Sequence, residues 1–202
     1  MAVSRDRAFA LCCTALLGAS LGVHALELRR IRALSASVET LSPRSGVPEI
    51  GSILPAIRAR DLAGQSVQLS YGRDQPPTVV YVFSPSCVWC KRNLANIESL
   101  VSRTRGHYRF IGVSLSRSGL TTSPAAFPFP IFTDISSETS AAYGLGATPQ
   151  TIVLTNEGRV LKAWSGAFSG QTQADVERFF KVRLPGLLDL GQVLQHGTEA
   201  SF

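Results

Sequence analysis

The chain has 202 residues, 45% apolar and 17% charged, enough to bury one core and too apolar for a disordered chain. The formal net charge of +6 sits partly in two short clusters, Arg29, Arg30 and Arg32, and Arg103 and Arg105. No basic run is interleaved with aromatics, which argues against nucleic-acid binding and leaves a basic face near anionic lipid as the plainer reading.

Residues 1–7, MAVSRDR, form a short flank carrying Arg5 and Arg7. Residues 8–26, AFALCCTALLGASLGVHAL, follow with no formal charge when His24 is neutral. This stretch is close to the roughly 20 residues that a helix needs to cross a bilayer. It reads as a single-span transmembrane anchor; a cleaved signal peptide is the alternative, with Val23-His24-Ala25 as a small-x-small site. The stretch exceeds the roughly 7–15 residues of a signal core, which favours the anchor. Arg29, Arg30 and Arg32 outnumber the two N-terminal arginines by one, and the free amino terminus offsets that charge, so charge alone does not orient the span. Cys12 and Cys13 fall inside this segment, where a thiol behaves as a small apolar group.

Residues 27–46 read as a stalk or linker. Ile31, Leu34, Val38 and Leu41 make a brief 3-4-3 stripe, too short for a coiled coil, which Ser42-Pro43 and Gly46 end. A globular domain is expected over 47–184. QSVQLS (65–70) is a short strand after the Ala63-Gly64 turn, and PTVVYVFS (77–84) has the continuous apolar run of a strand buried on both faces. From Val88 a helix is predicted on the stripe Cys90, Leu94, Ile97 and Val101. YRFIGVSLS (108–116) is a second core strand, the Pro- and Ser-rich 117–130 a loop, and IFTD (131–134) a short strand. SSETSAAYGL (136–145) opens with good N-cap chemistry. Residues 150–166 form a hairpin about Asn156-Glu157-Gly158, and 171–183 a last amphipathic helix stopped by Pro185-Gly186; residues 185–202 are a tail. The order β, β, α, β, β, α, β, β, α defines an α/β domain with a mixed central sheet and helices on both faces.

The soluble part contains only two cysteines, Cys87 and Cys90, in FSPSCVWCKRN (83–93). Two residues between cysteines fit a redox pair, half of a metal site, or buried thiols. Cys87 follows a core strand and sits where the next helix must begin, with Pro85 blocking extension of the strand. There it meets unpaired helix N–H groups and the positive end of the macrodipole, which favour thiolate over thiol. Cys90 lies one turn later, within disulfide reach. The pattern points to exchange: one thiol attacks, the other resolves. A closed zinc site needs two more ligands, and His24, His107 and His196 show no ligand spacing, so no metal is assigned.

The segments VVYVFSPSCVWCKRNL and GATPQTIVLTNEGRV, in that order, resemble the thioredoxin superfamily. The likeness is greatest to its membrane-anchored, outward-facing branch of TlpA- and ResA-type disulfide reductases and redoxin domains, with FSPSCxxCK also similar to MauD-type maturation proteins. It covers about residues 47–183. It implies a thioredoxin-like sheet, catalytic Cys87 and Cys90 joined as a disulfide when oxidised, and no cofactor. It also implies a cis Thr148-Pro149 peptide facing that disulfide, with the Thr148 backbone free to pair with an extended client segment. By the same resemblance the domain lies in the periplasm of a bacterial cell, tethered to the inner membrane. Its partners are then client proteins with cysteines or disulfides, such as apocytochromes, and a membrane thiol donor or acceptor.

Several positions depart from the family. Ser86 stands where Trp is frequent, Val88 occupies the second motif position, and no proline precedes Cys90. The aromatic appears inside the motif, as Trp89, either a client contact or a shield for Cys87. Tyr81 and Asn93 stand where relatives keep buried acids, so no general base is assigned. Phe127, Phe129 and Phe132 read as core before binding groove. Two alternatives remain beside exchange. A peroxide-reducing redoxin would place a threonine three residues before the first cysteine, where this chain has Ser84. A non-enzymatic copper-handling or docking module would space its cysteines by three and add a distant histidine.

Overall fold

The computed structural model describes residues 46–120 and 127–189, with Glu27 and Gly191 beside them. The flank, the apolar segment 8–26 and nearly all of the stalk lie outside these residues. Among the described residues no helix is long and apolar enough to cross a membrane. The chain divides into two units, Met1–Pro43 and Arg44–Phe202, and the second carries the fold described here.

Among the described residues seven strands form one sheet: β1 (Ile57–Asp61), β2 (Ser66–Leu69), β3 (Thr78–Phe83), β4 (Arg109–Ser114), β5 (Ile131–Thr133), β6 (Gln150–Leu154) and β7 (Val160–Ser165). Four helices join them: α1 (Val88–Arg92), α2 (Leu94–Arg103), α3 (Ser137–Ala142) and α4 (Gly170–Phe180). The spatial order is β2-β1-β5-β4-β3-β6-β7, with β3, β4 and β5 parallel and every other pairing antiparallel. This is the mixed thioredoxin-like sheet that the sequence led us to expect, plus one strand.

β3 shows why. All six of its residues are buried. Val79, Tyr81 and Phe83 face one core cluster with Cys90, Ile97, Leu100, Val176 and Phe180, which belong to α1, α2 and α4. Val80 and Val82 face the other, with Ile111, Ile152, Leu154 and Tyr143 beside α3. A strand covered on both faces needs no polar alternation. Phe127 and Phe129 fall in the first cluster and Phe132 in the second, all at most 8% exposed. They are core residues, although they also edge a cleft of about 480 Å³ with Asp61–Ala63.

The added strand is β1. Its side chains alternate, Ile57 and Ala59 inward, Arg58 and Arg60 outward, as a half-buried strand requires. It bridges β2 and β5. Two helix boundaries also differ from expectation. The helix predicted from Val88 is broken at Asn93, and the last helix ends at Phe180 because Lys181 takes a left-handed conformation (φ 57°). α3 begins as predicted: Ser136 Oγ accepts the Thr139 N–H at 3.2 Å.

Candidate active site

The site lies at the C-terminal end of β3. Phe83 closes the strand, and a turn with the Cys87 N–H donating to the Ser84 carbonyl (3.0 Å) delivers Cys87 to the start of α1. Cys87 has extended backbone (φ −77°, ψ 109°) and is the N-cap; its sulfur accepts the Cys90 N–H at 3.1 Å. The two cysteines are joined by a disulfide with Cα atoms 5.2 Å apart, inside the usual span of such bonds. They differ in access: Cys90 is 3% exposed and packs in the core, whereas Cys87 is half-buried. When the bond is reduced, the Cys87 sulfur stands against the unpaired N–H groups of α1, which favours its thiolate. Lys91 and Arg92 add positive charge, and the first turn of α1 has no acid.

Thr148-Pro149 is brought to the pair by the sheet. β6 runs antiparallel to β3 with Gln150 opposite Val82, so the residues before β6 arrive beside the residues after β3. The peptide bond is cis, Pro149 is buried, and the Thr148 carbonyl lies 3.6 Å from Cys87 Sγ. Trp89 is 53% exposed next to Cys87, as is Val88 at 50%, and the Arg92 guanidinium stands 4.7 Å over the Trp89 ring.

Beneath the pair the surroundings are polar but neutral. Tyr81 is 2% exposed, and its hydroxyl lies 3.5 Å from the Cys90 carbonyl. Burial pushes its pKa above the ordinary tyrosine value, with the Asn93 amide opposing, so it stays a protonated donor. Asn93 is fully buried. Its Oδ1 accepts from the Phe168 N–H (3.0 Å) and from Asn96 Nδ2 (3.0 Å). A backbone N–H can only donate, which fixes the orientation of the amide. Its Nδ2 therefore lies away from Phe168, buried and with no hydrogen bond of ordinary geometry, but close enough to the Tyr81 hydroxyl to oppose the effect of burial on it. No Asp or Glu is buried among the described residues. Tyr81 and Asn93, the two positions where the sequence resemblance led us to look for an acid, thus place neutral groups beneath the pair.

Sequence reasoning did not find Asn96, Phe168 or Leu188 as parts of this neighbourhood. A signal existed for the first: Asn96 lies three residues after Asn93, beside the apolar stripe Leu94, Ile97 and Val101. Phe168 is 75 positions from Asn93, and nothing local marks it.

A CxxC pair at a helix N-terminus, with a cis proline facing it across a mixed sheet, defines a thiol-dependent redox enzyme of the thioredoxin superfamily. Residues 50–163 match the AhpC/TSA family model, and the chain belongs to that family. Among solved structures, it is similar to a thiol:disulfide interchange protein DsbE from Chlorobium tepidum (17% identity, 66% of this chain and 97% of that one, TM-score 0.53). It is equally similar to the peroxidoxin BcpB from Mycobacterium tuberculosis (18% identity, 66% and 96%, TM-score 0.53). A protein disulfide isomerase-like structure from Bacteroides thetaiotaomicron matches at 15% identity over 75% of this chain and 94% of that one, TM-score 0.52. At these identities the likeness shows the fold alone. No curated protein matches the chain.

Proposed function

We propose that the chain is a membrane-anchored thiol–disulfide oxidoreductase that exchanges disulfides with client proteins outside the cytoplasm. The observation that carries this is the asymmetry of the pair: Cys87 half-buried at a helix N-cap, Cys90 buried one turn away and bonded to it. In the reducing direction the Cys87 thiolate attacks one sulfur of a client disulfide. A mixed disulfide forms and the client's other sulfur leaves as thiolate. Cys90, deprotonated, then attacks Cys87 Sγ; the Cys87–Cys90 bond forms and the second client thiolate leaves. Two electrons pass to the client, whose thiolates take up two protons. A dithiol donor at the membrane restores the pair, and a disulfide acceptor would run the same steps backwards. Thr148 supplies a backbone edge for the client segment and Trp89 an apolar face beside it. The apolar segment 8–26 is the tether, with the soluble domain on the periplasmic side of a bacterial inner membrane.

The test is reduction of insulin disulfides by the full chain with a dithiol donor. Wild type is active, and Cys87→Ser loses all activity above background. Cys90→Ser accumulates a mixed disulfide that identifies the client. A Cys87→Ser chain as active as wild type refutes the assignment.

A second reading has support in the AhpC/TSA match and the likeness to a peroxidoxin. In it the Cys87 thiolate attacks a peroxide oxygen, giving a sulfenic acid and releasing an alcohol or water. Cys90 then condenses with the sulfenic acid to the disulfide, losing water. Peroxide consumption without insulin reduction selects this reading.

A further inference from the structure

The residues that follow α4 return to the exchange motif. The Leu184 N–H donates to Glu177 Oε1 at 2.9 Å, and the Gly186 N–H to Asn96 Oδ1 at 2.9 Å. Leu188 and Arg92 then pair reciprocally: the Leu188 N–H donates to the Arg92 carbonyl at 2.8 Å, and Arg92 Nε donates to the Leu188 carbonyl at 3.0 Å.

These bonds fall where α1 is weakest. A five-residue helix has no stability of its own, and the Arg92 carbonyl is one of the acceptors that its C-terminal end leaves without a helical donor. Leu188 supplies that donor. It also holds one edge of the guanidinium whose face covers Trp89 at 4.7 Å. A free arginine would sample many rotamers; this one is tethered at Nε, so the indole beneath it is held too. Through Asn96 and Asn93 the same segment connects to Phe168, a chain of hydrogen bonds along the base of the cysteine helix.

We propose that Leu184–Leu188 is a strap that sets specificity for protein disulfides, with Arg92 the positioning residue that holds Trp89 as a rigid face beside Cys87. The proposal rests on the exchange reading above. A folded client presents side chains around its disulfide that meet Trp89. A small disulfide reaches the Cys87 sulfur without touching the ring. A strap with a purely structural role would lower activity on both by the same factor.

The experiment uses the full chain and its Arg92→Ala, Arg92→Lys and Leu188→Pro variants. Leu188→Pro removes the N–H given to Arg92, and Arg92→Lys keeps the cation but loses Nε. kcat and KM are measured on insulin and on hydroxyethyl disulfide with one dithiol donor. The ratio of kcat/KM on insulin to that on hydroxyethyl disulfide falls about fivefold in Arg92→Ala and Leu188→Pro, equivalent to ~1 kcal/mol. The fall comes through KM on insulin, and Arg92→Lys recovers part of it. Equal losses on both substrates, or no loss on either, overturn the role given to the strap. Amide exchange gives a readout that survives misfolding of a variant: in wild type the Leu188 and Gly186 amides are protected, and exchange at the rate of an unstructured peptide overturns the strap outright. A wild-type chain inactive on both disulfides sinks the exchange reading itself, an outcome distinct from an active chain whose variants lose both activities together.

Discussion

Replacing Asn93 by alanine tests the neutral polar base of the site. Asn93 Oδ1 accepts two hydrogen bonds in a fully buried setting. Asn96 Nδ2 keeps a second acceptor, the Phe168 carbonyl at 3.3 Å, so its loss is partial. The Phe168 N–H has no such alternative; a stranded buried donor costs about 1–3 kcal/mol. The space vacated by the amide adds a cavity cost of ~1 kcal/mol. The net loss is about 2–4 kcal/mol, a large part of the roughly 5–15 kcal/mol that holds a domain of this size. Urea unfolding of the oxidised chain reads it directly, as a midpoint lower by about 1–2 M at unchanged slope. Asn93→Asp separates the components. One oxygen still accepts from Phe168, but burial raises the new carboxyl's pKa in the folded state. Its contribution is then fully present at low pH and is lost as pH rises through the raised value. An Asn93→Ala midpoint within ~0.3 M of wild type would refute this account of the Asn93 bonds.

Two further substitutions test the frame around the site. Gly112 on β4 lies opposite Tyr81 and Ile131, and a Cβ there would overlap Ile131 Cδ1 and approach Phe129 Cε2 to 2.9 Å. Gly112→Ala lowers stability by about 1–3 kcal/mol, seen as a fall of several degrees in the thermal midpoint; an unchanged midpoint contradicts the packing. Asp175 accepts from Trp164 Nε1 at 2.8 Å and from Lys162 Nζ at 3.1 Å, and these bonds, the first above all, hold its carboxyl below the ordinary carboxylate range. A depressed carboxylate stabilises the fold above its unfolded pKa and loses that contribution as pH falls through the folded one. The urea midpoints of wild type and Asp175→Asn therefore differ at neutral pH and converge on acidification; a gap that stays constant with pH rules the carboxylate out as its cause.

Much of this architecture was legible because its signals are local. The apolar run 77–84 is a central strand, Asn156-Glu157-Gly158 is a hairpin turn, and Ser136 is a cap, each determined by neighbours a few residues away. β1 was hidden because its inward residues, Ile57 and Ala59, are few and its outward ones are arginines. The break at Asn93 was hidden for the opposite reason: the stripe Cys90, Leu94, Ile97 and Val101 keeps helical phase straight through it. The Asn93 side chain there meets a tertiary demand, the buried Phe168 N–H, which no window around residue 93 contains. The same holds for Leu188, which follows a Pro-Gly pair and reads as the start of a tail.

The spacing between Thr148 and Cys87 is gauged by the ladder between two core strands. With Gln150 locked opposite Val82, a slip of one residue would carry the proline along the strand by about 3.4 Å and turn every β6 side chain to the wrong layer. The far end of the hairpin, at Thr155–Arg159, has no such hold over the sulfurs. That tip is tied instead to the segment before β1, where the Leu54 N–H donates to the Gly158 carbonyl at 2.9 Å, and the mouth of the enzyme keeps its aperture through the β3–β6 ladder alone.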